Sequence, residues 1–155
     1  IGILAAMAIP TYQDYIARGQ FSEAAVMADG LKTTILDTAG QSNVCPTNAD
    51  ASGVAASGIK LDVDFEGKYV DSVSVGPRTG STDKCAVLVT FKATANGQIK
   101  GKDVLFVTSQ DVLGAGSATT GQENGAVQLI CTTNVVQKIA GKNCTSTGNA
   151  TALTR

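Results

Sequence analysis

The spacing of apolar positions changes once along the first part of the chain. From Ile1 to Ile9 every residue is apolar, alanine or glycine, so a helix there is apolar around its whole circumference. After Pro10 the pattern thins to Phe21, Ala24, Ala28, Leu31 and Ile35, at steps of three and four, which is one face of an α-helix. No second proline interrupts it, and the prediction is one helix over residues 1–37, with 1–20 protruding and 20–37 packed on the rest of the chain. Ala24, Ala25 and Ala28 suit the close approach of a sheet. Asp14 and Arg18 stand four apart on the solvated face, spaced for an ion pair. Gly40 is placed to stop the helix in the left-handed conformation.

The period then changes to two. Residues 38–58 have no sustained period and read as a loop, with a helical turn admissible around Asp50 to Ala56. Ile59 to Glu66 alternates apolar and charged residues as a half-buried strand, which turns Asp62 and Asp64 to solvent. Further strands are predicted over Tyr69–Val75, Lys84–Ala93, Lys102–Ser109 and Ala126–Thr132, with Asn96-Gly97 as a type I′ hairpin turn. Short connections favour antiparallel pairing. The fold class that follows is α+β, a long N-terminal helix packed against a four- or five-stranded antiparallel sheet spanning 59–132. The head occupies 38–155, and its C-terminal loop and tail, 131–155, are turn-rich.

Composition changes the picture in two ways. Charged residues are only 16% of the chain, with Ser, Thr, Asn and Gly filling the surface, and the net charge of -1 argues against nonspecific affinity for polyanions. The charge is uneven: residues 1–71 hold nine acids and four bases (-5), residues 72–155 four acids and eight bases (+4). Such a dipole favours head-to-neighbour contacts unless the halves interleave in the fold, which is the preferred expectation. The four cysteines, Cys45, Cys85, Cys131 and Cys144, match no CxxC metal or redox spacing, and no histidine is present to join them. They read as disulfides, and hence as a sign of an oxidising compartment.

The run from Gly2 to Tyr15, Gly-Ile-Leu-Ala-Ala-Met-Ala-Ile-Pro-Thr-Tyr-Gln-Asp-Tyr, resembles the N-terminal helix of type IV pilins. The resemblance implies that Ile1, Gly2, Ile3, Leu4, Ile9, Pro10, Tyr12 and Tyr15 belong to an assembly helix, with the sheet packed on Phe21, Ala24, Ala28, Leu31 and Ile35. In that family the mature protein starts about a dozen residues earlier, at a methylated phenylalanine followed by glutamate. The nine apolar residues here fall short of the roughly 20 that span a bilayer, so they are expected to be the end of a longer apolar segment needed for native assembly. The C-terminal loop resembles the disulfide-closed region of such pilins, although eleven residues follow Cys144, which leaves receptor-binding residues untransferred. Of three possible pairings, Cys131 with Cys144 is expected, because Cys131 ends a strand and Cys144 lies in a tail that nothing else would order. Cys45 then joins Cys85 by elimination.

Chemistry points the same way. There is no histidine, GxSxG, P-loop or GxGxxG after a strand, so no catalytic or cofactor site is expected, and an isolated Asp62/Asp64 pair without a DxDxDG loop is no calcium site. Lys92, Lys100 and Lys102 are weak support for a DNA contact without interleaved aromatics, and lysines guarding a sheet edge are the preferred reading. Asn143-Cys-Thr145 and Asn149-Ala-Thr151 match a glycosylation sequon that means little without N-linked machinery. The expected function is the structural subunit of a bacterial type IV pilus: a homo-oligomeric filament at the cell surface, held in the inner membrane before assembly. The resemblance implies adhesion, twitching motility and DNA uptake as roles, with inner-membrane assembly machinery and a host-surface receptor as partners. A secretion pseudopilin or minor pilin is the first alternative. A secreted binding module with a hydrophobic anchor is the second.

Overall fold

The structure is a computed structural model. It describes residues 2–81, 84–109, 112–113 and 127–147, with side chains placed from residue 11 onward within the first helix. That helix, α1 (Gly2–Ser42), runs for 41 residues, about 60 Å at 1.5 Å per residue. Its buried stripe is longer than the sequence pattern indicated: Ala17 and Ala39 extend Phe21, Ala24, Ala28, Leu31 and Ile35 at both ends. Contact with the head thus begins well before residue 20. Gly40 lies inside the helix and does not cap it, because Ala39 is buried and keeps the helical course worthwhile beyond Asp37. The stop is Asn43, whose φ of 54° is tolerated by a short polar side chain and whose N–H donates to Ala39 O at 2.9 Å.

After α1 come α2 (Ala51–Ser57), a single 3-10 turn at Asp62–Asp64, β1 (Val70–Pro77), β2 (Cys85–Phe91), β3 (Asp103–Thr108), β4 (Leu129–Thr133), α3 (Gln137–Ala140) and β5 (Cys144–Ser146). Asp50 starts α2 by accepting the Gly53 N–H at 2.8 Å, and Gly58, with φ 69°, ends it in the left-handed conformation that glycine takes without strain. The strands form one five-stranded sheet in sequence order, antiparallel through β4, with β5 parallel to β4. Period-two alternation lines one face across every strand: Val75, Val87, Phe106, Cys131 and Cys144 are successive register partners, as are Val73, Val89, Val104 and Thr133. This row packs on the α1 stripe, where Phe21 and Phe91 approach with ring centroids 5.9 Å apart. The opposite face carries a smaller cluster of Ala86, Leu105 and Val107 with Leu88.

Four sequence expectations are corrected. Ile59–Glu66 is not a strand: Ile59 is buried, but Val63 is 66% exposed and Asp62 is buried, not turned to solvent. The Asp62 carboxylate accepts from the Val63 N–H at 2.9 Å and the Ser74 hydroxyl at 3.2 Å. The physical reason is Asn48, which occupies the place beside β1 that a pairing strand would need. Second, Asn96-Gly97 is no type I′ hairpin, since neither residue has positive φ. Asn96 O accepts from Ile99 and Lys100 N–H at 2.9 Å, which winds the connection into a helical turn, and Gly101 supplies its left-handed residue at φ 62°. Third, the sheet is not wholly antiparallel. Finally, the C-terminal segment is ordered by more than a disulfide, because β5 joins the sheet and α3 packs beneath it. Ala126 and the tail beyond Thr147, Asn149 included, lie outside the described residues.

The structure joins Cys45 to Cys85 and Cys131 to Cys144. Both salt bridges found among the described residues, Asp14–Lys138 at 3.1 Å and Glu66–Lys92 at 2.8 Å, link the acidic first half to the basic second half. At these two points acids of the first half meet bases of the second.

Candidate assembly surface

One face of α1 is spent on the head, and polar groups beside it fasten the helix along its length. Glu23 does most: its Oε1 accepts the Lys68 N–H at 2.7 Å and its Oε2 the Tyr69 N–H at 3.0 Å, so one carboxylate caps the turn that leads into β1. Gly67 makes this approach feasible, since a Cβ there would collide with Glu23 Oε1 and the Met27 methyl. Lower down, Gln20 Oε1 accepts the Asn96 N–H at 2.8 Å, and Asp14 Oδ1 accepts from Gln98 Nε2 at 2.6 Å. Asp14 therefore turns to Gln98 and Lys138, not to an i,i+4 bridge with Arg18. The Gln98 amide, and then Lys138, hold its carboxyl below the usual aspartate range. The Lys92 ammonium does the same for Glu66.

Glu23→Ala is expected to cost about 2 kcal/mol, because two backbone donors lose a charged acceptor. Chemical denaturation checks it, and a cost indistinguishable from that of a surface substitution would refute the carboxylate cap.

The other face of α1 carries exposed apolar side chains among polar ones. Tyr12 is 67%, Tyr15 75% and Val26 71% exposed. Tyr15 and Val26 are three turns apart and nearly eclipsed, and Val26 lies roughly half a turn from Ala17 and Ala28 of the buried stripe. Between them sit Gly19 and Ser22, both exposed, and the Tyr15 ring helps wall a shallow groove of about 500 Å³ with Ile16, Arg18, Gly19, Gln20 and Tyr69. Arranged this way, the helix offers two apolar knobs flanking a small-residue saddle, a shape that another helix or loop can fill.

Of the residues assigned to assembly from the sequence, the structure brings Tyr12 and Tyr15 to this face. Ile1, and the side chains of Ile3, Leu4, Ile9 and Pro10, lie outside the described residues, although the backbone is helical from Gly2. The face also includes Val26, which sequence reasoning passed over although its eleven-residue distance from Tyr15 was legible. The three lysines weighed for DNA do not form a free patch. Lys92 pairs with Glu66, and Lys102 Nζ donates to Asn134 O at 3.3 Å.

The family profile of pilins, described as bacterial filament proteins, matches residues 17–145. The chain belongs to the pilin family. This pilin is 40% identical over 114 residues to a fimbrial protein of Neisseria meningitidis serogroup A, covering 72% of this chain and 59% of that relative. It is 33% identical over 131 residues to a type IV major pilin protein of Neisseria gonorrhoeae, covering 84% and 66%. A fimbrial protein of Eikenella corrodens matches at 34% over 152 residues, covering 97% and 85%. The pilin thus spans about three-fifths to two-thirds of the length of the first two.

Proposed function

We propose that this pilin is the structural subunit of a bacterial type IV pilus, assembling through α1 and displaying the head on the filament surface. The observation that carries the reading is the apolar face of Tyr12, Tyr15 and Val26, set opposite the stripe that the head already covers. A single subunit leaves this face in water. Burying Tyr15 and Val26 against a neighbour is worth on the order of 1.5–3 kcal/mol each. The contact is heterologous when it recurs along a helical array, and so it propagates into an open filament and not a closed dimer.

Within this reading the working location is the extracellular pilus, reached from the inner membrane by dedicated assembly machinery. The outward head serves adhesion and twitching motility toward a host-surface receptor. DNA uptake draws least support, because Lys92 and Lys102 are engaged within the chain.

The test is the double substitution Tyr15→Asp with Val26→Asp in cells expressing this gene, with pili counted by negative-stain microscopy. Both sites are exposed, so the subunit should keep its stability to within about 0.5 kcal/mol per site. Pili should be lost while subunit abundance is unchanged. Pili of normal number and length would sink the assignment of this face.

A further inference from the structure

The two edges of the sheet are closed by the same device. At β1, Asn48 Nδ2 donates to Val73 O at 2.8 Å while Asn48 Oδ1 accepts the Val75 N–H at 2.7 Å. At β5, Gln137 Nε2 donates to Cys144 O at 2.9 Å while Gln137 Oε1 accepts the Ser146 N–H at 2.9 Å. In each case a primary amide bridges the C=O of residue i and the N–H of residue i+2, the pattern that a neighbouring peptide unit makes in a ladder. Asn48 is fully buried, whereas Gln137 is exposed. β5 itself, Cys-Thr-Ser, carries no charge or proline, the usual protections of an edge strand.

Gln137 also ties the loop to itself. Its Nε2 donates to Gly141 O, closing α3, and the Ser146 hydroxyl donates to Val135 O at 2.7 Å. These contacts fasten the segment 135–146 at points away from the disulfide. Thr147 N–H donates to Thr133 O at 2.8 Å, a bond that involves neither Gln137 nor a cysteine, so its protection reports whether β5 is docked.

We propose that Gln137 is a non-covalent latch for the C-terminal loop: its amide acts as a surrogate sixth strand that keeps β5 docked on β4 whether or not Cys131 and Cys144 are joined. The loop that the covalent bond encloses would then keep its shape on the filament surface through reduction. The covalent link and the latch are redundant, and only their joint loss releases the loop.

Amide hydrogen exchange on the whole chain in non-ionic micelles tests this, with the wild type, Cys131→Ser/Cys144→Ser, Gln137→Ala and the combined triple variant. Thr147 protection is expected to fall by less than about tenfold in the double-serine variant, and by more than about a hundredfold in the triple variant. Central β2 amides, Val89 among them, serve as the control for a folded sheet. Two results overturn the latch: Thr147 losing protection in the double-serine variant although Gln137 is present, or keeping it in the triple variant. Gln137→Glu in the Cys131→Ser/Cys144→Ser background gives a second reading. A protonated carboxyl can still donate to Cys144 O, whereas a carboxylate faces it with like charge. Thr147 protection there should therefore stay near that of the double-serine variant at acid pH and fall toward that of the triple variant at neutral pH, and a protection factor independent of pH would refute the latch equally.

Discussion

Asn48→Ala is expected to lower stability by about 4 kcal/mol, a large share of what a domain of this size has. The side chain is fully buried and makes three hydrogen bonds: to Lys60 O at 3.0 Å, to Val73 O at 2.8 Å and from Val75 N–H at 2.7 Å. Alanine removes the partner and leaves the three backbone groups without one, and each stranded group costs roughly 1–3 kcal/mol. Asn48→Asp separates the contributions. It keeps an acceptor for Val75 but sets a carboxylate oxygen against two carbonyls, so at neutral pH it should be no better than alanine. Urea denaturation measures both, and a loss below about 1 kcal/mol for alanine would mean that water or a shifted loop satisfies the β1 edge equally well.

The second large effect is expected at Cys45 and Cys85. Their bond closes a loop of about 41 residues, and the chain-entropy relation gives about 4 kcal/mol, against about 3 for the loop of about 14 closed by Cys131 and Cys144. Location widens the difference. Cys45 and Cys85 sit in the main core, 2% and 1% exposed, so Cys45→Ala/Cys85→Ala also leaves a void beside Val87 and the α1 stripe. Replacing Cys131 and Cys144 leaves β5 with its ladder and its Gln137 contacts. The urea midpoints of the two double-alanine variants should therefore rank clearly, with the Cys45/Cys85 pair the less stable. Equal midpoints, or the reverse order, would count against this account.

Much of this architecture can be read from spacing alone. The steps of three and four from Phe21 to Ile35 locate the packed face of α1, and the alternation from Cys85 to Phe91 gives β2 with its core side, because both periods are imposed directly by backbone geometry. What could not be read depends on side chains far apart in sequence. Ile59–Glu66 has an ideal strand pattern, yet Asn48 already bonds the β1 edge, and nothing local to either segment announces that meeting. Asn96-Gly97 fails as a hairpin for a similar reason. Its N–H is drawn to Gln20 on α1, 76 residues away, and a tertiary contact outweighs a turn preference worth little by itself. Of the candidate surface, the tyrosines were legible through their wording, whereas Glu23 looked like any solvated acid until its two oxygens were seen to meet Lys68 and Tyr69.

The Cys45–Cys85 bond begins three residues beyond the end of α1 and has a mechanical consequence. Tension pulled along the helix leaves it at Ser42 and reaches Cys45 almost at once, where the covalent path crosses straight into β2. The 40-residue separation between the two cysteines, holding α2, the 3-10 turn and β1, lies in parallel with that path and bears almost none of the load. At roughly 3.5 Å per residue this locks away about 140 Å of chain that a reduced molecule could pay out under force. The oxidised subunit is therefore a short, stiff link, and the stretch between the two cysteines is shielded from strain.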